Sequence, residues 1–358
     1  MRSARIPATV GALTLLTTAL ACGAEVPWLA QVQQPPAAAP QTQLSSLWND
    51  EPAGDLNAWK TRRETLRADW LKWLGPMPAR PAGATWTVLR TDALPDVTRL
   101  LMEYEGEPGQ MVQAYLLRPN TRAEDRSRPG VVALHPTTAR TIEPIAGVEG
   151  PADQHTALAL ARSGCVVICP RCFLWQDAPD YDAAVARHRQ RHPQTLGMHK
   201  MLYDAQRAVD LLAAQSDVDP QRLGAYGHSL GAKETLYLAA FDERIRAAVA
   251  SEGGIEFTST NWDAPWYLGP QVRDPQQPRN HHELIALIAP RAFLVMGGET
   301  GPGAADGDRS WPYIAAAMPI YRLYGEPARV GLLNHHEGHR LSPASMEKLS
   351  TWLHTYLP

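Results

Sequence analysis

Ser229 stands at the centre of Gly227-His228-Ser229-Leu230-Gly231, a Gly-X-Ser-X-Gly run. A strand-like stretch precedes it and a helix-forming stretch, 233–241, follows. That context reads as a nucleophile elbow, a turn so tight that the residues beside the serine must lack bulk. A serine hydroxyl attacks a carbonyl only when an imidazole takes its proton and a carboxylate fixes that imidazole. The imidazole is expected in Asn334-His335-His336-Glu337-Gly338-His339-Arg340. His339 is the candidate base, because Gly338 frees the loop; His335 and His336 read as structural. The spacing is not His-Glu-X-X-His, which argues against a metal centre.

Two positions compete for the acid. Asp306 lies in the segment 299–308, with Asp308 and Glu299 as rivals, and is preferred. Glu252, in Ser251-Glu252-Gly253-Gly254, is the alternative. The N–H of Leu230 is one expected oxyanion donor, and Thr137 in Pro136-Thr137-Thr138 supplies the second. Lys233, Trp262, Trp266 and Trp311 are candidate substrate contacts, the tryptophans as stacking surfaces for sugar rings. The competing reading of these aromatics is that they pack loops onto the body, since tryptophan is highly buried on average.

These residues need a scaffold that gathers loops at one edge. A helix is expected over 57–74, stopped by Gly75-Pro76, followed by strands 85–90, 98–105 and 111–118 as an antiparallel edge. From there apolar strands (131–135, 165–169, 222–226, 247–251, 292–297, 330–334) alternate with helices (153–163, 198–214, 283–288, 313–323, 343–356). Such alternation predicts an α/β fold with a mostly parallel sheet covered on both faces. Every candidate residue then falls after the carboxyl end of a strand, where such sheets bind ligands.

The chain has 358 residues, 44% of them apolar, and a net charge of −3. This is ample for a core and leaves no basic stripe for nucleic acid. Residues 1–21 read as a signal peptide: Arg2 and Arg5 precede an apolar run ending in Ala19-Leu20-Ala21-Cys22. Export, periplasmic or extracellular, is the expectation. A lipid anchor at Cys22 would be the only contact with a membrane. Residues 22–47 are expected as a flexible tether and 48–358 as the catalytic domain. Cys165 and Cys169, on one strand, would be roughly 13 Å apart, too far for a disulfide.

From about Trp48 onward the chain resembles bacterial α/β-hydrolases of the acetyl xylan esterase and dienelactone hydrolase type. The resemblance rests on Leu134-His135-Pro136-Thr137-Thr138, on the elbow, on Leu287-Ile288-Ala289-Pro290-Arg291, on the run 306–311 and on Gly338-His339. A second resemblance is to glucuronoyl esterases. There a lysine four positions after the serine contacts uronate hydroxyls, as Lys233 would here. The acid often follows the next strand, as Glu252 does, and in some bacterial members comes one strand later, where Asp306 stands. Those enzymes carry Arg-Asn after the serine, whereas this chain has Leu230-Gly231. Together the resemblances imply a serine carboxylesterase for carbohydrate-linked esters, acetyl or uronate, with no cofactor. A peptidase, a lactone hydrolase and a catalytically inactive glycan-binding protein are the alternatives.

Overall fold

The computed structural model describes residues 24–37, 40–48, 53–274, 276–301, 303–325 and 327–357. The signal peptide and Cys22 lie outside the described residues. The strands are β1 (Thr87–Ala93), β2 (Val97–Glu105), β3 (Met111–Pro119), β4 (Arg128–Leu134), β5 (Val166–Pro170), β6 (Val218–His228), β7 (Ile245–Ser251), β8 (Ala292–Gly297) and β9 (Val330–Asn334). The α-helices are α1 (Leu29–Val32), α2 (Leu56–Leu74), α3 (Ile142–Ile145), α4 (Thr156–Arg162), α5 (Tyr181–Arg191), α6 (Gly197–Ala213), α7 (Leu230–Phe241), α8 (His281–Ile288), α9 (Trp311–Leu323) and α10 (Pro343–Tyr356).

The strands form one sheet in the order β1-β2-β3-β5-β4-β6-β7-β8-β9. The first three are antiparallel to one another and β3 is antiparallel to β5; β5, β4 and β6 to β9 run parallel. The expected antiparallel edge and parallel body are both present. After β4 the chain steps to β5 on one side, then returns to place β6 on the other. The order therefore reverses beside β4, and the crevice of such a sheet opens at this point.

Alternation of side chains splits the core in two. Val132 and Leu134 of β4 and Val166 and Ile168 of β5 face one layer, with α2, α6, α7, α8 and α9. Val131, Ala133, Val167 and Cys169 face the other, with α4 and α10. Helix α2 starts at Asp55, whose carboxylate accepts from the N–H of Asn57 and Ala58 at 2.9 Å, and ends at Gly75 with φ 89°. No side chain fits at Gly75, where a Cβ would stand 2.0 Å from the Gln194 carbonyl oxygen. Cys165, Cys169 and Cys172 are free thiols, all buried; burial pushes Cys165 up to about 12.

The tether reading needs correction for its described part. Val26, Trp28, Leu29 and Val32 are buried against the α10 layer, and Trp28 stacks on Trp352 at 5.7 Å. Arg329 donates to Glu25 at 2.8 Å, and Leu47 is buried in the opposite core. The apolar residues interspersed in this segment have a surface to bury, so the chain is ordered against the body. Helix α5 was not anticipated. Its sequence is mostly polar, and its start is set by the Asp180 carboxylate accepting from Ala183 N–H at 2.8 Å.

Candidate active site

Strand β6 ends at His228, and α7 begins at Leu230. Between them Ser229 takes φ 58° and ψ −116°, a left-handed backbone that L-residues rarely adopt. Its N–H donates to the Ser251 carbonyl at 2.8 Å, tying the elbow to β7. The two flanking glycines are sterically required. A Cβ on Gly227 would lie 2.0 Å from the Gly231 carbonyl oxygen, and one on Gly231 would lie 2.1 Å from that of Leu134. As the first helical residue, Leu230 has an N–H without an acceptor one turn back, and it points out of the helix N-terminus.

The loop after β4 faces the elbow. It is oriented by the buried His135, whose type and place after β4 do not by themselves signal a role. Its Nε2 accepts the N–H of Cys172 at 3.0 Å, so the ring proton sits on Nδ1, which donates to the Pro136 carbonyl at 2.8 Å. Burial holds His135 at about 4, so it stays neutral and the tautomer is fixed. Thr137, exposed just beyond, lines the same cleft as Ser229.

Glu252 follows β7 and also takes a left-handed backbone, φ 59°. Its side chain is buried and its carboxylate is surrounded by donors. Oε1 accepts the N–H of Gly298 at 2.6 Å and Oε2 that of Ala305 at 2.9 Å. His335 Nε2 lies 3.1 Å from Oε1, and His339 Nδ1 lies 3.8 Å from Oε2. Burial alone would raise this carboxyl, but His335, His339 and the two backbone donors outweigh it and hold it down at about 2. It is therefore ionised whenever an esterase would work. The 3.8 Å gap exceeds a hydrogen bond, and such catalytic bonds commonly tighten only when substrate is bound.

Asp306, the preferred acid on sequence, is placed differently. Its Oδ2 accepts the N–H of Gly254 at 2.9 Å; Oδ1 accepts the Ile255 N–H at 3.0 Å and the Ser310 hydroxyl at 2.6 Å. These partners clamp the insertion after β7 onto the loop after β8, and none is an imidazole. The rival acids are also engaged elsewhere: Asp308 accepts from Asn334 at 2.8 Å, and Glu299 lies 3.1 Å from Nδ1 of the exposed His336. Geometry thus moves the acid candidate to Glu252.

Ser229, His228, His339, Thr137 and Thr138 line a cleft of about 380 Å³ that extends to Ile145 and Gln154. His228 packs against His339 at 4.8 Å between ring centroids, and burial lowers it to about 3, so it is a neutral neighbour. A larger open groove of about 640 Å³ runs along the end of α2 and contains neither the serine nor the late histidines.

The four expected substrate contacts do not line the cleft. Lys233 is buried, donates to the Gly253 carbonyl and the Thr260 hydroxyl, and sits 4.0 Å over the Trp262 ring. Burial pulls this lysine down to about 7, against the pull of Asp306. Trp262 is 1% exposed and gives its N–H to the Gly254 carbonyl at 2.7 Å. Trp311 is buried at the start of α9, and half-buried Trp266 packs on Tyr181 at 5.5 Å. These aromatics pack against the body: the insertion 253–269 seats Trp262 on Tyr237 and Lys233 of α7, Trp266 meets α5, and Trp311 is buried on α9.

Residues 112–287 match the Dienelactone hydrolase family. The glucuronoyl esterase of Solibacter usitatus superposes with a TM-score of 0.71, at 19% identity, over 89% of this chain and 99% of that one. The chain has the α/β-hydrolase fold. Two curated relatives match shorter stretches of this chain. One, from Bacillus subtilis (strain 168), carries the name hydrolase YtaP and is 41% identical over 104 residues, 27% of this chain and 34% of its own length. The other is the 4-O-methyl-glucuronoyl methylesterase of Podospora anserina, 31% identical over 113 residues, 25% of this chain and 24% of its own. The chain thus spans about a third or less of the length of these two relatives.

Proposed function

We propose that this α/β-hydrolase is an exported serine carboxylesterase that cleaves carbohydrate-linked esters. The observation that carries the reading is the meeting of three strand ends: Ser229 and His339 share one cleft, and Glu252 holds an ionised carboxylate beside His339. His339 takes the proton of Ser229 as Oγ attacks the ester carbonyl. The N–H groups of Leu230 and Thr137 hold the oxyanion. His339 then protonates the departing alcohol, and water attacks the acyl-enzyme with His339 again acting as base. Glu252 keeps the imidazole oriented and stabilises its cationic form. No step calls for a metal or an organic cofactor.

The commitment of Lys233 to Gly253 and Thr260 removes the lysine contact to uronate hydroxyls, and Leu230 stands where glucuronoyl esterases carry an arginine that helps the oxyanion. That favours a small acyl group, such as acetate, on a sugar hydroxyl. Uronate ester cleavage is the second reading, supported by the name of the Podospora anserina relative. Turnover of p-nitrophenyl acetate and of a benzyl glucuronate ester, by wild type and Ser229→Ala, tests both. Acetate turnover that vanishes in Ser229→Ala is expected; faster turnover of the glucuronate would select the second reading, and activity surviving in Ser229→Ala would refute serine chemistry.

A further inference from the structure

We infer that His335 is a positioning residue for the acid and for the loop that carries the base. The inference rests on the proposed Ser229–His339–Glu252 chemistry, in which His335 has no role of its own. His335 is the first residue after β9, its N–H donates to the Gly297 carbonyl at 3.1 Å, and its side chain is 7% exposed. The ring nitrogens face different partners. Nδ1 accepts the N–H of Glu337 at 3.1 Å. A nitrogen that accepts from a backbone N–H carries no proton, so the neutral ring is protonated at Nε2. That nitrogen is the one 3.1 Å from Glu252 Oε1.

One ring thus does two things. Through Nδ1 it pins the turn at Glu337, two residues before His339, and so sets where the base hangs over the elbow. Through Nε2 it stands 3.1 Å from Oε1, which the Gly298 N–H already occupies, with Oε2 on the side of His339. Neither His335 Nε2 nor His339 Nδ1 makes an aligned hydrogen bond in this state. His335 Nε2 nevertheless stands 3.1 Å from Oε1 and so bounds how far the carboxylate can turn. Loss of such a support shifts a reacting group by a fraction of an ångström and lowers turnover more than binding.

The test compares His335→Phe with His335→Gln, whose amide N–H₂ reaches the place of Nε2. With p-nitrophenyl acetate, His335→Phe is expected to lower kcat by roughly 10- to 100-fold while KM stays within about twofold, and His335→Gln to recover most of that loss. Equal losses in the two variants, or an unchanged kcat in His335→Phe, would overturn the inference. If His335→Phe does not fold, ¹⁵N NMR of the wild type decides, with the His335 signals assigned by their loss in His335→Gln. The Nε2-protonated tautomer of the neutral ring is expected; the Nδ1-protonated tautomer would contradict it. Ser229→Ala, assayed alongside, separates the two levels. Its retention of turnover would defeat the serine chemistry, and the tautomer would still judge His335.

Discussion

Glu252 and Asp306 are two buried carboxylates on adjacent strand ends, and each accepts two backbone N–H groups. Their third partners differ. Glu252 has imidazoles within 3.1 and 3.8 Å, whereas Asp306 has the hydroxyl of Ser310. Their protonation follows. Burial raises both, but the imidazoles and amides bring Glu252 down to about 2, while at Asp306 burial, reinforced by the charge of Glu252, leaves the carboxyl raised. The lesson is that burial and backbone bonds make a carboxylate structural, and contact with an imidazole makes it a candidate for catalysis.

Substitutions that separate the two regions rank by expected effect. Ser229→Ala removes the nucleophile and should lower kcat by about 10⁴-fold or more on p-nitrophenyl acetate, with the thermal midpoint nearly unchanged. Glu252→Gln keeps the shape and removes the charge. Its kcat should fall by about 10³- to 10⁴-fold. It also carries a stability signature. A folded carboxyl near 2, against 4.5 for the free side chain, stabilises the fold fully above pH 4.5 and loses that contribution as pH falls toward 2. Denaturant titrations should therefore show the wild type losing stability relative to Glu252→Gln across that window.

Asp306→Asn acts on the other side of the comparison. One of its two faces becomes a donor and opposes the Gly254 or Ile255 N–H, a loss of about 1–3 kcal/mol for an unsatisfied buried group. A lowered thermal midpoint is expected, with activity reduced far less than in Glu252→Gln. Lys233→Met is the mildest. The buried lysine titrates near 7 when folded and near 10.5 when free, so the unfolded chain holds the extra proton between those values. Wild-type stability should rise with pH over that range by at most about 1.4 kcal/mol per unit, and the methionine variant should lack the slope. A slope retained in Lys233→Met would place its origin elsewhere.

Much of this was legible in the chain itself. The elbow announces itself because two glycines and a left-handed serine admit few sequences. The parallel body follows from apolar strands alternating with helices, and the boundaries of β8, β9 and α10 match expectation. The choice of acid was not legible, since both carboxylates follow strands of the same sheet and only side-chain direction separates them. Lys233 looks like a ligand contact because it stands four residues after the serine, and Trp262 because its loop follows β7, but the insertion 253–269 folds onto α7 and buries both. His335 looks structural in sequence because it lies closest to the strand end. Its pairing with Glu252 depends on β7 and β9 flanking β8, a long-range fact that local spacing does not encode.

The most direct test is to measure kcat/KM for p-nitrophenyl acetate with Glu252→Gln and Asp306→Asn side by side, each checked for folding by its thermal midpoint. The account predicts collapse in folded Glu252→Gln and retention within about tenfold in Asp306→Asn. Collapse in folded Asp306→Asn with Glu252→Gln still active would contradict it and return the acid to the loop after β8.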